Sequence, residues 1–328
     1  MINFASSLRA LNRVGVLGMN RRNVDYISRY NSRDLFPLVD NKLLTKKLAL
    51  ENDLQVPGLI GVIEEQSDVR SLDAMLEGRQ GFCLKPAKGS GGKGILVILD
   101  TQIRDGEKFF KKTNGDWIQL ENLKRHATNI LAGLHSLGGA IDTVLVEELI
   151  RLDPLFNDYS YEGIPDVRVI VFRGVPVMAM MRLSTASSNG KANLHQGAVG
   201  VGIDMSSGKA INAVQKDHSV SKHPDTKKDL TELKIPQWHD LLALACQCAD
   251  LTGLGYLGVD LVIDEELGPS LLELNARPGL SIQIANYAGL LPRLRKIEEI
   301  ARIDRKPVLE RVKFAQEHFG AQSFIPAA

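Results

Sequence analysis

Apolar positions along the chain alternate between helical and strand spacing. From Asp40 to Asn52, Leu43, Leu44, Leu48 and Leu50 recur on one helical stripe, Asp40 stands as the N-cap and Pro57 lies beyond the end, so the spacing predicts a helix. Residues 58–63 read as a short strand and Ser67 to Leu76 as a capped helix. Two apolar runs follow, Gly81 to Lys85 and Ile95 to Leu99, joined by a glycine-rich loop. A helix is predicted over Glu121 to Leu137 and a strand over Thr143 to Val146. After a polar loop at 151–163 come three β-rich runs, at 166–173, 175–183 and 198–204. The charged stretch 215–235 reads as a surface excursion rather than a binding arm. A helix from Pro236 to Leu251 leads to strands at 256–263 and 270–275, and a helix near 308–318 closes the pattern. The first 40 residues read as short helices with a basic cluster at Arg21, Arg22, Arg29 and Arg33, of which Arg21, Arg22 and Arg29 read as a solvated helix face rather than a grip on an acidic group. Helices and strands alternate without a regular βαβ rhythm, which predicts α+β lobes rather than a doubly wound sheet.

Composition narrows the class. The 328 residues carry 40 Lys+Arg against 39 Asp+Glu, and 44% are hydrophobic, the balance of a globular protein with room for two lobes. A formal net charge of +1 gives no general grip on nucleic acid or anionic membrane. Cys83, Cys246 and Cys248 are too few for a disulfide framework and have no second Cys/His pair to complete a zinc site, so a reducing, cytoplasmic setting is expected. The opening residues lack the apolar core of a signal peptide. Gln247, Asp250 and Asp260 interrupt the most apolar later stretch, Leu241 to Ile263, and membrane insertion is not expected.

The strongest local signal runs from Phe82 to Gly94. Gly89, Gly91 and Gly94 satisfy G-x-G-x-x-G, but a Rossmann turn opens into a helix, whereas this loop opens into the strand-like Ile95 to Leu99. A Walker A loop needs Lys-Ser/Thr after its last glycine, and protein-kinase signatures are missing from the chain. What is left is a strand–loop–strand hairpin with four glycines and three lysines in residues 85–94. Backbone without side chains lets successive N–H groups turn toward phosphate oxygens, and lysines neutralise the charge.

The second signal is Leu271 to Gly279. In a strand Glu273 and Asn275 share a face, and Arg277 follows them if the strand continues. A turn around Gly268-Pro269 can bring Asp260 of the preceding strand beside Glu273. Two carboxylates and an amide oxygen form a hard-oxygen set suited to Mg²⁺, although satisfied polar pairs on apolar strands look the same in sequence. Glu147 and Glu148 end an apolar strand, as an acceptor for a base amino group or as a solvated strand end. Arg182 ends another strand, and Lys191, Asn193 and His195 lie in the loop after it; His195 reads as structural. No Ser/His/Asp or Cys/His arrangement points to a covalent nucleophile.

In this order the motifs resemble the ATP-grasp superfamily over residues 20–290, most closely the RimK-like α-L-glutamate ligases. The opening Asn-Arg-Arg-Asn…Asp-Asn-Lys stretch is similar to the sugar-transfer-associated ATP-grasp group. The resemblance implies two α+β lobes gripping ATP, with a short helical segment at 1–40, an N-lobe at 41–147 and a C-lobe at 148–328. It assigns Lys42 and Lys85 as nucleotide-binding lysines, and Lys88, Gly89, Ser90, Gly91 and Gly92 to the loop over the triphosphate. Glu147, Glu148, Leu149 and Ile150 match the linker that contacts adenine, and Asp166, Lys191 and Asn193 further nucleotide-site positions. Arg182 and Arg277 would stabilise the transferred phosphoryl group and the oxyanion, and Asp260, Glu273 and Asn275 match the magnesium ligands, for one or two Mg²⁺ with Mn²⁺ as a substitute. Two departures stand out: 41 residues precede Lys42 where relatives carry an α/β domain of that region, and Arg277 replaces a small residue.

The activity implied is ATP-dependent joining of a carboxylate, such as that of glutamate, to an amine acceptor through an acyl phosphate. The acceptor is a peptide, protein or small molecule, and self-association into a homo-oligomer is left open. An ATP-grasp kinase that phosphorylates a small molecule and stops, or a non-catalytic ATP-binding partner of a modification system, would need the same nucleotide site.

Overall fold

The computed structural model describes residues 13–89 and 91–321. They form a mixed α+β structure with two antiparallel sheets, one in each of two compact units.

One unit comprises residues 41–47 and 56–151. It begins with the first turns of α1 (Lys42–Glu51) and holds β1 (Leu59–Ile63), β2 (Phe82–Pro86), β3 (Leu96–Arg104), β4 (Glu107–Lys112), β5 (Trp117–Gln119) and β6 (Val144–Glu148), in the order β1-β6-β2-β3-β4-β5. The helix α2 (Leu120–Leu131) buries Leu123, Ala127, Ile130 and Leu131, spaced to share one face, against Phe82, Leu84, Ile98, Phe110, Val144 and Val146. Each large side chain buried there contributes about 1.5–3 kcal/mol relative to exposure. The helix stops at Leu131 rather than Leu137 because the chain turns at Gly133, φ +81°, where a Cβ would lie 2.6 Å from the carbonyl oxygens of Gly139 and Ala140. The stretch expected as one helix from Ser67 is a 3₁₀ turn, Gln66–Ser71, followed by a single α turn, Leu72–Met75. The N-cap of α1 is Asn41, not Asp40: Asn41 Oδ1 accepts from the N–H groups of Leu43 (3.0 Å) and Leu44 (3.4 Å), while Asp40 closes the short helix Pro37–Asp40.

The other unit holds the chain before Asn41, residues 48–55, and the chain from Leu152 onward. Its sheet consists of β7 (Asp166–Phe172), β8 (Val175–Leu183), β9 (Val199–Ile203), β10 (Ala210–Gln215), β11 (His218–Ser219), β12 (Tyr256–Asp264) and β13 (Gly268–Asn275), in the order β11-β10-β9-β8-β7-β12-β13. Its longer helices include α3 (Trp238–Thr252), α4 (Leu291–Glu298) and α5 (Val308–His318). The β12–β13 register places Asp260 opposite Glu273 but Leu261 opposite Leu271, so Leu272 is the extra residue of a bulge. Residues 19–40 are largely helical, with a π-helical turn at Arg22–Ile27. Tyr30 meets Phe172 edge-on at 4.8 Å, and the Asn31 side chain bonds both the N–H and the carbonyl of Tyr256 at 2.8 Å. On the expected basic face Arg21 pairs with Asp25 at 3.1 Å and Arg29 is exposed, but Arg22 donates inward to the Pro278 carbonyl at 2.8 Å. Among the described residues no helix is long and apolar enough to cross a membrane.

The charged stretch 215–235 is anchored more firmly than a surface excursion requires, because Leu230, Leu233 and Ile235 are buried and His223 is fully so. His223 Nε2 lies 3.0 Å from the Ser184 carbonyl, while Nδ1 accepts from the N–H groups of Asp225 and Thr226 at 3.3 Å. A carbonyl only accepts, so this ring is neutral with its proton on Nε2. Burial lowers its pKa from the ordinary 6.5. The contribution of His223 to stability is therefore whole above about pH 6.5 and is lost as pH falls below it. His223→Ala should cost about 1–3 kcal/mol near neutral pH, with a smaller difference from the wild type near pH 5, read by denaturant unfolding at both pH values. A difference that does not narrow in acid would show that the ring is not held neutral.

Candidate active site

In the first sheet, alternation puts Cys83 and Lys85 of β2 on one face, and Cys83 pairs directly with Glu147 of β6. Glu147 is thereby turned into the protein, where Lys85 Nζ reaches Oε2 at 2.6 Å and Lys46 Nζ reaches Oε1 at 2.7 Å. All three charged side chains are buried. Lys46 also donates to the Pro57 carbonyl at 2.5 Å. Burial pulls the Lys46 ammonium down to about 8 despite the neighbouring carboxylate, and pushes the Cys83 thiol up to about 12. Glu147 is thus the shared counter-ion of two lysines rather than a solvated strand end. Glu148 faces the other way, exposed, and pairs with Arg79 at 2.7 Å, and Leu149 packs over Gly81 with Ile150 half-buried beside it in sequence.

The glycine loop joins β2 to β3 as a hairpin, as its sequence predicts. Its first half is tied down: Lys42 Nζ donates to the Gly89 carbonyl at 2.6 Å, and the Lys88 N–H donates to Asp142 Oδ1 at 3.0 Å. Ser136 holds the same carboxylate, and its backbone bridges Gly89. Gly91 and Gly92 are exposed with φ of +64° and +72°, backbone that a side chain would strain. At the far end His126 Nε2 lies 2.9 Å from the Gly94 carbonyl. Ser90 lies outside the described residues.

The second sheet carries a row of alternating charge across β8, β7, β12 and β13. Register sets Asp166 opposite Arg182, Arg168 opposite Asp260, and Asp260 opposite Glu273. Arg168 grips Asp260 with two bonds, 2.6 Å to Oδ1 and 2.5 Å to Oδ2. Arg182 joins Asp166 Oδ1 (2.5 Å) to Asp260 Oδ2 (2.8 Å), and Asn275 Nδ2 reaches Asp260 Oδ2 at 3.3 Å. Burial pushes the Asp166 carboxyl up, to about 6, with Arg182 pulling against it. Burial acts upward on Asp260 too, but Arg168 and Arg182 override it and hold that carboxyl down at about 2. Burial would lower Arg182, yet the two carboxylates raise it above its ordinary value.

The expected residues thus fall into two groups, each gathered by one sheet, with some left aside. Arg277 pairs with Asp40 at 2.8 Å and stacks over Phe36, half-exposed. Lys191 is exposed, Asn193 caps the turn Leu194–Gln196 through the His195 N–H, and His195 is exposed on that turn. Lys46, Arg168 and Asp142 carry contacts that the sequence reading did not assign. Lys46 stands one helical turn after Lys42, and Arg168 two strand positions after Asp166, so periodicity alone points to the first two.

Magnesium calls for oxygen ligands and keeps most of its shell for water and phosphate. Among the described residues no three His, Cys, Asp or Glu side chains cluster as a metal cage. Asp260, Glu273 and Asn275 still fit such an ion: the hairpin joins two carboxylates and an amide, and Asp260 Oδ1 accepts a single bond from Arg168 where Oδ2 is crowded by three donors.

The family model described as sugar-transfer associated ATP-grasp matches residues 21–299. The chain belongs to this family. A curated relative, the probable alpha-L-glutamate ligase of Parasynechococcus marenigrum (strain WH8102), is 26% identical over 280 residues, which are 84% of this chain and 44% of the relative. This ATP-grasp chain therefore spans less than half the length of that relative. Among solved structures it is similar to the D-alanine–D-alanine ligase of Bacillus anthracis complexed with ATP, at 14% identity and a TM-score of 0.43, over 85% of this chain and 66% of that one. It is also similar to a RiPP-associated ATP-grasp ligase of Chryseobacterium gregarium in complex with ADP and a leader and core peptide. There the identity is 12% and the TM-score 0.44, over 85% and 63% of the two chains.

The stability of the ATP-grasp chain should rest in part on the charge row. Replacing Asp260 by Asn leaves Arg168 and Arg182 buried beside a neutral amide, and should destabilise the protein by about 3–5 kcal/mol in urea unfolding. A loss below about 1 kcal/mol would mean that water already screens the row.

Proposed function

We propose that the protein is an ATP-dependent carboxylate–amine ligase that works through an acyl phosphate. The observation that carries this reading is the β12–β13 pairing of Asp260 with Glu273 inside a row of guanidinium groups, in a chain of the ATP-grasp family. A carboxylate oxygen of the donor attacks the γ-phosphorus of ATP and ADP leaves with the electrons of the broken P–O bond. The amine then attacks the acyl carbon, phosphate leaves, and the amine proton passes to solvent.

Both steps develop charge rather than demand a protein nucleophile, so positioning and neutralisation supply the catalysis. Lys42, Lys85 and the N–H groups of Gly91 and Gly92 suit the phosphates, with Lys88 and Gly89 in the tethered half of the loop. Asp166, Lys191 and Asn193 complete the proposed nucleotide set, with Glu148, Leu149 and Ile150 toward the base. Arg182 is the proposed partner of the transferred group, and Arg277 would join it by leaving Asp40. Asp260, Glu273 and Asn275 would hold Mg²⁺. When bound, that ion offsets phosphate charge and orients the triphosphate. The relative's name supports glutamate as the donor. Three unpaired thiols are in keeping with a reducing cytoplasm.

The deciding assay incubates the protein with Mg-ATP, hydroxylamine and single carboxylates, glutamate first. Hydroxamate formed with one carboxylate is the expected result and identifies the donor. A phosphorylated product that hydroxylamine does not intercept would replace the ligase with a kinase. Glu273→Gln should cut turnover on the order of 100-fold or more, with folding retained. Wild-type turnover in that variant would remove Glu273 from the proposed metal set.

A further inference from the structure

Lys46 has no part in the nucleotide set proposed above, yet it is buried as deeply as Lys85 and meets the same carboxylate. We propose that Lys46 is a positioning residue for nucleotide binding: by holding one oxygen of Glu147, it leaves the Lys85 ammonium only half-neutralised and aimed by the other. The inference rests on the reading of Lys85 as a phosphate-binding lysine.

Two lysines sharing one glutamate leave a net positive cluster. Lys46 is fixed independently of any ligand, since its ammonium also donates to the Pro57 carbonyl at 2.5 Å and its helix is pinned by the Lys42 N–H to the Ala87 carbonyl at 2.8 Å. Without the Lys46 charge, both oxygens of Glu147 fall to Lys85. The pair becomes neutral, and a triphosphate must pull Lys85 away from that counter-ion in a buried setting where the contact is strong. The groups facing Lys46 are Glu147, Lys85 and the Cys83 thiol, and burial leaves its ammonium losing its proton near pH 8. The wild-type protein therefore carries its own titration of the effect.

The test is calorimetric binding of Mg²⁺ with the non-hydrolysable analogue AMPPNP, at about pH 7 and about pH 9.5. Wild-type affinity should fall with rising pH on the order of tenfold, the size of one charge-assisted hydrogen bond. Lys46→Arg, which keeps its charge at both values, should bind tightly at both. Lys46→Met, matched in length but uncharged, should bind weakly at both, with unfolding measured alongside to confirm a native fold. A structural role alone would not make the arginine variant insensitive to pH. Wild-type affinity in Lys46→Met at pH 7, or the same pH dependence in Lys46→Arg as in the wild type, would overturn the proposal. Lys85→Met separates the two ideas: if it abolishes binding while Lys46→Met does not, the nucleotide reading stands and the positioning role falls. No AMPPNP binding by the wild type overturns both.

Discussion

A charge taken out of water must be met by an opposite charge at close range, and both sheets of this protein are arranged around that requirement. Desolvating an isolated ammonium or carboxylate costs several kcal/mol even after relaxation. Lys46 and Lys85 are tolerable inside the first unit because β6 delivers Glu147 between them. Arg168 and Arg182 are tolerable inside the second because β7 and β12 deliver Asp166 and Asp260. In each case strand register fixes which charges meet. The two clusters differ in sign: the first has an excess of ammonium, and the second, with Glu273 counted, an excess of carboxylate. Each cluster taken by itself would suit an ion of the opposite sign, an anion for the first and a cation for the second.

The glycine hairpin follows a different rule. Its stem is ordinary antiparallel pairing, but its two ends are fastened by side chains and carbonyls rather than by a buried core. Asp142 is almost fully buried and spends its oxygens on backbone and a hydroxyl, which sets the path of the chain into the loop. Between the fastened ends Gly91 and Gly92 have open space where a Cβ would stand. The segment is held at its feet and left open at its tip.

Much of this was legible in the sequence. The hairpin at 82–99 and the Asp260–Glu273 pairing follow from apolar runs separated by turn residues, a local pattern that register then completes. What was not legible had one of three causes. The strand β4 sets two phenylalanines among Glu107, Lys108, Lys111 and Lys112, and β5 is only three residues long, so neither carries the apolar run that marks a strand. The N-cap of α1 falls to Asn41 because Asp40 closes the helix before it, a choice between neighbouring capping residues that composition does not make. The Lys46–Glu147 contact joins residues distant in sequence, so spacing can flag Lys46 but cannot name its partner. The apolar residues of 215–235 were hidden in the same way, by the charges around them.

The bulge at Leu272 separates two tasks within one strand. Asp260 pairs with Glu273 but Leu261 with Leu271, so the alternation of faces along β13 slips by one between its two halves. The strand before the slip keeps time with the core, and the strand after it keeps time with the charge row. Restoring an unbroken rhythm by removing Leu272 would leave Leu271 in phase and turn Glu273 and Asn275 to the opposite face. The bulge works as a phase shifter, through which one continuous strand answers to two different surroundings.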